Sequence, residues 1–238
     1  QNLLYDGNWT LQYRSWRING DLMQYAMQSD GLEKISCFVL KASDSEMLWR
    51  NLSGSCMNAV HMAQLAVAQD DPNSQAIAIT LKAFYVSAMT DIFGDMPYSE
   101  AFRIVGDNIT HPKYDEQKDI YASLCDELKT ADGLYDTSVT YDGASYDLLY
   151  NGDLKKWRKF TNALRLRLLL RQSRQIDVSA AMQEVVSGGS LFENNADGAI
   201  LRFTGIVPFF NGFGPSGSLT APAASQNKRM CSRLIDLL

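Results

Sequence analysis

Apolar residues recur at helical spacing through most of the chain. Over residues 8–28, Trp9, Tyr13, Trp16, Gly20, Met23 and Met27 alternate at intervals of four and three. That spacing predicts one stripe of a helix, with Asn8 as its N-cap. Residues 29–43 break the pattern and read as a loop. Ser43 stands three before Glu46, the spacing of a capping box. The helix opened there carries Leu48, Leu52, Cys56, Ala59, Ala63 and Ala66 on one side. Asp71-Pro72 opens the next helix, with Pro in the first turn where its missing N–H costs little. Ile77, Leu81, Phe84, Tyr85, Ala88, Met89 and Ile92 give it a wide apolar face, and Gly94 ends it as a residue able to take positive φ.

Further helices are predicted at 115–131, 154–174 and 177–187, and a last one from about Gln226. Residues 199–204 read as a short strand. Residues 205–225 hold many Gly, Pro and Ser and read as a long irregular loop, a kind of segment that is often functional in a compact domain. The fold class is therefore mainly all-α. Long helices joined by short turns suggest stacked hairpins of the tetratricopeptide kind. The W…LG…Y pattern of a standard repeat is absent, and there is no clean period of about 34 residues.

Composition narrows the function classes. Of 238 residues, 46% are hydrophobic and 21% charged, which supports a packed core and excludes dominant disorder. With 22 basic against 27 acidic residues the net charge is −5, so no nucleic acid partner is expected. No run approaches the roughly 18 apolar residues of a membrane span. The N-terminus lacks a basic segment followed by an apolar one, which fits a cytosolic chain and a processed secreted one equally. Cys37, Cys56, Cys125 and Cys231 form no C-x-x-C pair, and with only His61 and His111 beside them a zinc site is not supported. A Cys37–Cys56 bridge is left open. The last residues, 233–238, read as helix without a stop signal, so the expectation is a piece of a longer polypeptide.

Four features could carry chemistry. The segment Asp153–Arg171 holds seven Lys or Arg among Leu154, Trp157, Phe160, Leu164 and Leu168. It reads either as a basic binding helix or as a core helix whose cations meet solvent or the surplus carboxylates. The second reading is favoured, because the cations point in several directions. Asp91, Asp95 and Asp107 lack calcium-loop spacing and read as turn chemistry. His61 lies in an apolar helix and reads as structural, and His111 precedes Pro112 with no evident partner. There is no G-x-S-x-G, H-E-x-x-H or P-loop, so a helical hydrolase is a weak rival. Phe38 in the first loop, and Phe209, Phe210 and Phe213 beside Asn211 in the Gly/Pro-rich loop, lie outside the helices. Loop aromatics can stack on sugar rings or hold peptide side chains, or they can simply plug the scaffold.

Three stretches carry a family resemblance. Leu81–Tyr98 runs an aromatic-rich helix into Gly94-Asp95-Met96-Pro97-Tyr98. Tyr150-Asn-Gly-Asp-Leu-Lys-Lys-Trp157-Arg-Lys-Phe160-Thr-Asn-Ala-Leu-Arg-Leu-Arg-Leu-Leu-Leu-Arg171 is the most specific of the three, and Asn227–Leu238 opens a helix after a loop. Their order and spacing resemble the SusD/RagB family, with Thr161 where Ala is common and an unusual Cys231 as small departures. The resemblance implies a surface-exposed outer-membrane lipoprotein of the Bacteroidetes type. Such a protein captures oligosaccharides, or in some members peptides, and hands them to a SusC-like TonB-dependent transporter. It implies a scaffold of four tetratricopeptide-like helix pairs, no catalytic group, no cofactor and no metal. It also implies membrane attachment only through an N-terminal lipid anchor upstream of Gln1. On this reading residues 1–238 form a single helical scaffold domain, incomplete at both ends, with a C-terminal half lying beyond them. Phe38, Phe209, Phe210 and Asn211 are the candidate ligand contacts, on their loop position alone. The rival outside the family is an intracellular tetratricopeptide-type adaptor.

Overall fold

The computed structural model describes residues 2–28, 35–102, 107–202 and 228–237. Its helices are α1 (Asn2–Arg14), α2 (Ala42–Ala68), α3 (Pro72–Phe93), α4 (Gln117–Leu134), α5 (Leu154–Gln172), α6 (Ser179–Ser187) and α7 (Ser232–Ile235). Two short antiparallel ribbons accompany them: β1 (Ala26–Gln28) pairs with β4 (Lys228–Met230), and β2 (Met96–Pro97) with β3 (Tyr114–Asp115). The class is all-α with tetratricopeptide-like hairpins, as the periodicity predicts. The chain forms two compact units, one of residues 53–201 and one of residues 2–52 with Arg202–Leu238, the division falling inside α2 after Leu52.

In the larger unit α3 is the central rod. Asp71 caps it by accepting the Ser74 N–H at 3.0 Å, Pro72 occupies the first turn, and Gly94 leaves it at φ +74°. Ala76, Ala78, Ala83 and Val86 are buried as well as Ile77, Leu81, Tyr85 and Met89. The helix is thus enclosed on more than the one face predicted, while Ile92, placed on that face by the spacing, is exposed. α3 is the one described helix long and apolar enough to cross a bilayer, and most of its apolar stretch is buried against neighbours instead. It packs on α4 and α5, α4 packs on α5, and α5 on α6. A chain of buried hydroxyls joins three of these elements: Thr80 Oγ1 lies 2.7 Å from Thr161 Oγ1, which lies 3.1 Å from the Tyr135 hydroxyl. Thr161, the departure from the family pattern, therefore has a polar task in the core that alanine could not perform.

The two motifs of the larger unit are devices for leaving and entering helices. After Gly94, Met96 is buried and β2 meets β3, where the Asp115 carboxylate accepts the backbone N–H groups of Tyr98 at 3.1 Å and Ser99 at 2.7 Å. Tyr98 donates to Glu127 on α4 at 2.5 Å, and Lys82 on α3 donates to the same oxygen at 2.6 Å. Asp95 accepts the Gln117 N–H at the start of α4 at 2.9 Å, a structural task beyond the turn chemistry expected of it.

Before α5, one carboxylate organises the turn. Asp147 accepts N–H groups from Leu149 at 2.9 Å, Tyr150 at 3.2 Å and Gly152 at 2.9 Å, and the Trp157 indole N–H at 2.7 Å. Gly152 has φ +83°, and a Cβ there would lie 2.5 Å from that of Ala144, so the motif's glycine is required twice over. Asp153 then caps α5 through Lys156 N at 3.1 Å. Trp157 is fully buried, edge-on to Tyr150 at 5.5 Å between ring centres and 6.1 Å from Phe160.

The smaller unit departs more from the sequence reading. α1 starts before Asn8, whose side chain donates to Leu4 O at 2.7 Å from within the helix and is no N-cap. Its buried side is Leu4, Gly7, Thr10 and Arg14, and not the predicted stripe; Met23 and Met27 are exposed. After Arg14 a π-turn at Ser15–Asn19 widens the winding and shifts the faces of the residues that follow, Met23 among them. The helix stops at Leu22, Gln24 takes φ +57°, and residues 26–28 become β1. Likewise 228–230 is a strand, so the last helix starts at Ser232 and not near Gln226. Of the predicted strand 199–204, residues 199–202 form no strand, and residues 203 and 204 lie outside the described residues. Ser43 does not cap α2: the helix begins at Ala42, the Asp44 carboxylate accepts the Lys41 N–H at 2.7 Å, and Glu46 instead pairs with Arg50.

Asp147→Ala would leave three backbone N–H groups and one indole N–H without their acceptor. Its expected cost is about 2–4 kcal/mol in urea unfolding at neutral pH. A loss below about 1 kcal/mol would show that water replaces the carboxylate.

Candidate functional site

Phe38 follows a 3₁₀ turn, Ile35–Cys37, and closes it by donating its N–H to Ile35 O at 2.9 Å. The residue is 71% exposed, and its neighbours Val39 and Leu40 are also exposed. Its backbone has φ +61°, a left-handed conformation that costs a residue with a Cβ about 1–2 kcal/mol. A large apolar side chain held outward on a strained backbone contributes little to packing, and such strain clusters at functional positions. Phe209, Phe210 and Asn211 lie outside the described residues, as does Phe213.

The larger unit also contains a cavity of about 540 Å³, among the ends of α3, α4 and α5 and the turn after α5. That volume lies within the range of small-molecule sites, roughly 300–1,000 Å³. On its lining the Asp91 carboxylate accepts both the Tyr121 hydroxyl and Nη1 of Arg171. The same Nη1 also donates to the Tyr121 hydroxyl oxygen at 3.1 Å. Burial pushes the Tyr121 hydroxyl up from the ordinary phenol value. Gln117 and Gln172 line the cavity with their amide nitrogens turned to the protein, donating to Thr90 O at 2.6 Å and Leu168 O at 3.2 Å. Ala122 and Ile176 supply an apolar wall. Sequence reasoning took Asp91 as turn chemistry and Arg171 as one member of a charge run, and neither reading brings residues 91, 121 and 171 together.

The other candidates resolve into structure. No group of three or more His, Cys, Asp or Glu that could hold a metal occurs among the described residues. His61 and His111 are exposed, and His111 meets the Thr110 hydroxyl at 2.9 Å. The four cysteines are free thiols, so no Cys37–Cys56 bridge is present. Burial pushes the Cys56 thiol up to about 12. The basic segment is a core helix, as favoured. Trp157, Leu164 and Leu168 are buried, and four of its seven cations, Arg158, Lys159, Arg165 and Arg171, pair with carboxylates of other elements. Arg158 meets Asp132 at 2.7 Å, Lys159 meets Asp197 at 3.0 Å and Arg165 meets Glu184 at 3.4 Å.

The comparisons decide the family. The family model described as "Starch-binding associating with outer membrane" matches residues 1–238. The chain belongs to this SusD-like family. No curated protein matches it. Solved structures similar to this SusD-like chain include a chitin-binding protein, at 29% identity and TM-score 0.73 over 99% of this chain and 50% of that one. A SusD homologue from Bacteroides fragilis has 22% identity and TM-score 0.70, over 99% and 49%. A SusD/RagB family protein from Bacteroides thetaiotaomicron has 24% identity and TM-score 0.70, over 89% and 47%. The chain thus spans about half the length of these structures. The family is one of starch-binding proteins associated with the outer membrane.

The ion pairs of this SusD-like chain make its stability pH-dependent. Burial alone would raise the Asp132 carboxyl; hydrogen bonds from Arg158 and Asn162 outweigh it and hold the group below the ordinary carboxylate range. A depressed folded-state value adds stability above the unfolded value of about 3.9, and that stability is lost as pH falls through the folded value. Asp132→Asn should therefore cost about 1–2 kcal/mol at neutral pH, a modest figure because the Arg158 side chain is 36% exposed and screened by water. Urea unfolding at neutral pH and below about pH 3 checks this: the gap between variant and parent should shrink in acid.

Proposed function

We propose that this chain belongs to a surface-exposed, lipid-anchored protein that captures oligosaccharides at the outer membrane and delivers them to a SusC-like TonB-dependent transporter. The observation that carries this reading is the family match over residues 1–238, with its description as starch-binding. The chitin-binding relative, alike over 99% of this chain, supports a polysaccharide-derived ligand. The outer-membrane association weighs against an intracellular adaptor. Residues 1–238 are read as a scaffold domain of a longer protein.

Capture followed by release needs modest affinity and no bond-making group. An aromatic face stacking on sugar C–H groups, with polar atoms at its rim, meets that need. Phe38 has the exposure such a face requires, and its backbone takes the left-handed conformation. Phe209, Phe210 and Asn211 are proposed as further contacts on their loop position in the sequence.

Calorimetric titration of the full chain with chitin- and starch-derived oligosaccharides, for the parent and for Phe38→Gly, tests this. Glycine removes the ring and tolerates the positive φ, so the thermal midpoint should stay the same or rise. Affinity should fall about three- to tenfold. Binding of unstructured peptides in preference to every oligosaccharide would replace the sugar reading with a peptide one, and unchanged affinity in Phe38→Gly would remove Phe38 from the site.

A further inference from the structure

The cavity among α3, α4 and α5 lies apart in sequence from the loop aromatics and has a chemistry of its own. Its formal charges are matched inside the protein. Arg171 is paired with Asp91, and Lys118 at the rim is paired with Glu116 at 2.6 Å. An anion approaching Arg171 would meet the Asp91 carboxylate already in place, and a cation approaching Asp91 would meet the guanidinium. A charged ligand therefore gains little here and loses its hydration.

What the cavity offers is a set of neutral-ligand contacts in complementary pairs. Arg171 spends Nη1 on Asp91 and Tyr121, which leaves the hydrogens on Nε and Nη2 as donors. Gln117 and Gln172 spend their amide nitrogens on Thr90 O and Leu168 O, which leaves their Oε1 atoms as acceptors. A hydroxyl group is the simplest partner for such a pair, since it accepts one hydrogen bond and donates another. Several adjacent hydroxyls on one ring would use the donors of Arg171 and the acceptors of both glutamines together. The apolar wall, where Ile176 is 55% exposed beside Ala122, suits the C–H face of that ring. Arg171 is braced by two partners, so its geometry exists before the ligand arrives and little ordering entropy is lost on binding.

We infer that this cavity is a second binding site, for a single uncharged polyhydroxylated ring such as a neutral pyranose. It depends on the proposed sugar-capture reading only for the choice of probe. The site differs from the loop platform in taking one ring by hydrogen bonding and in discriminating against its carboxylated counterpart.

The test uses methyl β-D-glucopyranoside as the neutral probe and glucuronate as its anionic counterpart, titrated into the full chain and followed by side-chain amide NMR. The glucoside should shift the Gln117 and Gln172 amide signals saturably, and glucuronate should bind more weakly. Gln172→Met removes one acceptor and Ile176→Ser, at a half-exposed position, removes the wall; each should weaken glucoside binding about tenfold. Phe38→Gly should leave this binding unchanged while weakening oligosaccharide capture. Glucuronate binding tighter than the glucoside, or glucoside binding that leaves both amide signals in place, overturns the inference. Oligosaccharide binding that survives while the cavity stays silent overturns this inference alone. Loss of all sugar binding by a folded chain overturns both readings.

Discussion

The larger unit depends on one carboxylate. Asp147 accepts three backbone N–H groups of the turn that follows it and the indole N–H of Trp157, one turn into α5. The first three contacts fix the path of the chain into the helix. The fourth fixes the helix's rotation about its axis. Once Trp157 is anchored by Asp147 and edge-on to Tyr150, Leu164 and Leu168 must face the same interior and the cations between them must face other elements. Tyr150 adds a second tie by donating its hydroxyl to Asp197 O at 3.0 Å. The helix is nineteen residues long, about 28 Å at the standard rise. A rotation error at its start would therefore carry Arg171 away from Asp91 at its far end.

That rotation also explains how an acidic protein carries so basic a helix. Individually, half-exposed ion pairs contribute little. Their arrangement matters more: Arg158 goes to α4, Arg165 to α6 and Lys159 to Asp197, so each cation selects a neighbour of opposite sign. The buried hydroxyl chain from Thr80 to Tyr135 performs the same selection without charge, since any slip of α5 along α3 would part Thr161 from Thr80 and Tyr135 and leave it only its bond to Trp157 O. Apolar contact alone would tolerate such a slip at lower cost, because Leu and Ala faces are interchangeable by a turn.

α3 and α5 were readable in the sequence because their ends carry chemical marks that act locally: Asp71-Pro72, Gly94, Asp153. The stripe beyond α1 is not legible, because the π-turn at Ser15–Asn19 has no comparable mark and shifts the faces that follow it. The ribbon of residues 26–28 and 228–230 was missed because each strand exists only through a partner two hundred residues away, and three-residue strands carry no period of their own. The cavity escaped for a similar reason. Asp91, Tyr121 and Arg171 sit on three helices, and each has an adequate local explanation in isolation. The exposed Phe38 was found from its loop position, but the positive φ that distinguishes it from an incidental surface aromatic is visible only in the structure.

Both proposed contacts with ligand share a physical property suited to capture and release. Phe38 is already exposed before anything binds, and Arg171 is already held by Asp91 and Tyr121. Preorganisation lowers the entropy lost on association, so a few weak contacts suffice for capture. Weak contacts also keep dissociation fast, and differences in affinity between related complexes lie mostly in that rate. A protein that hands its ligand onward is constrained by how quickly it lets go. A small set of stacking and neutral hydrogen-bonding groups, already in position, meets that constraint better than a deep charged pocket, which would gain affinity chiefly by slowing release.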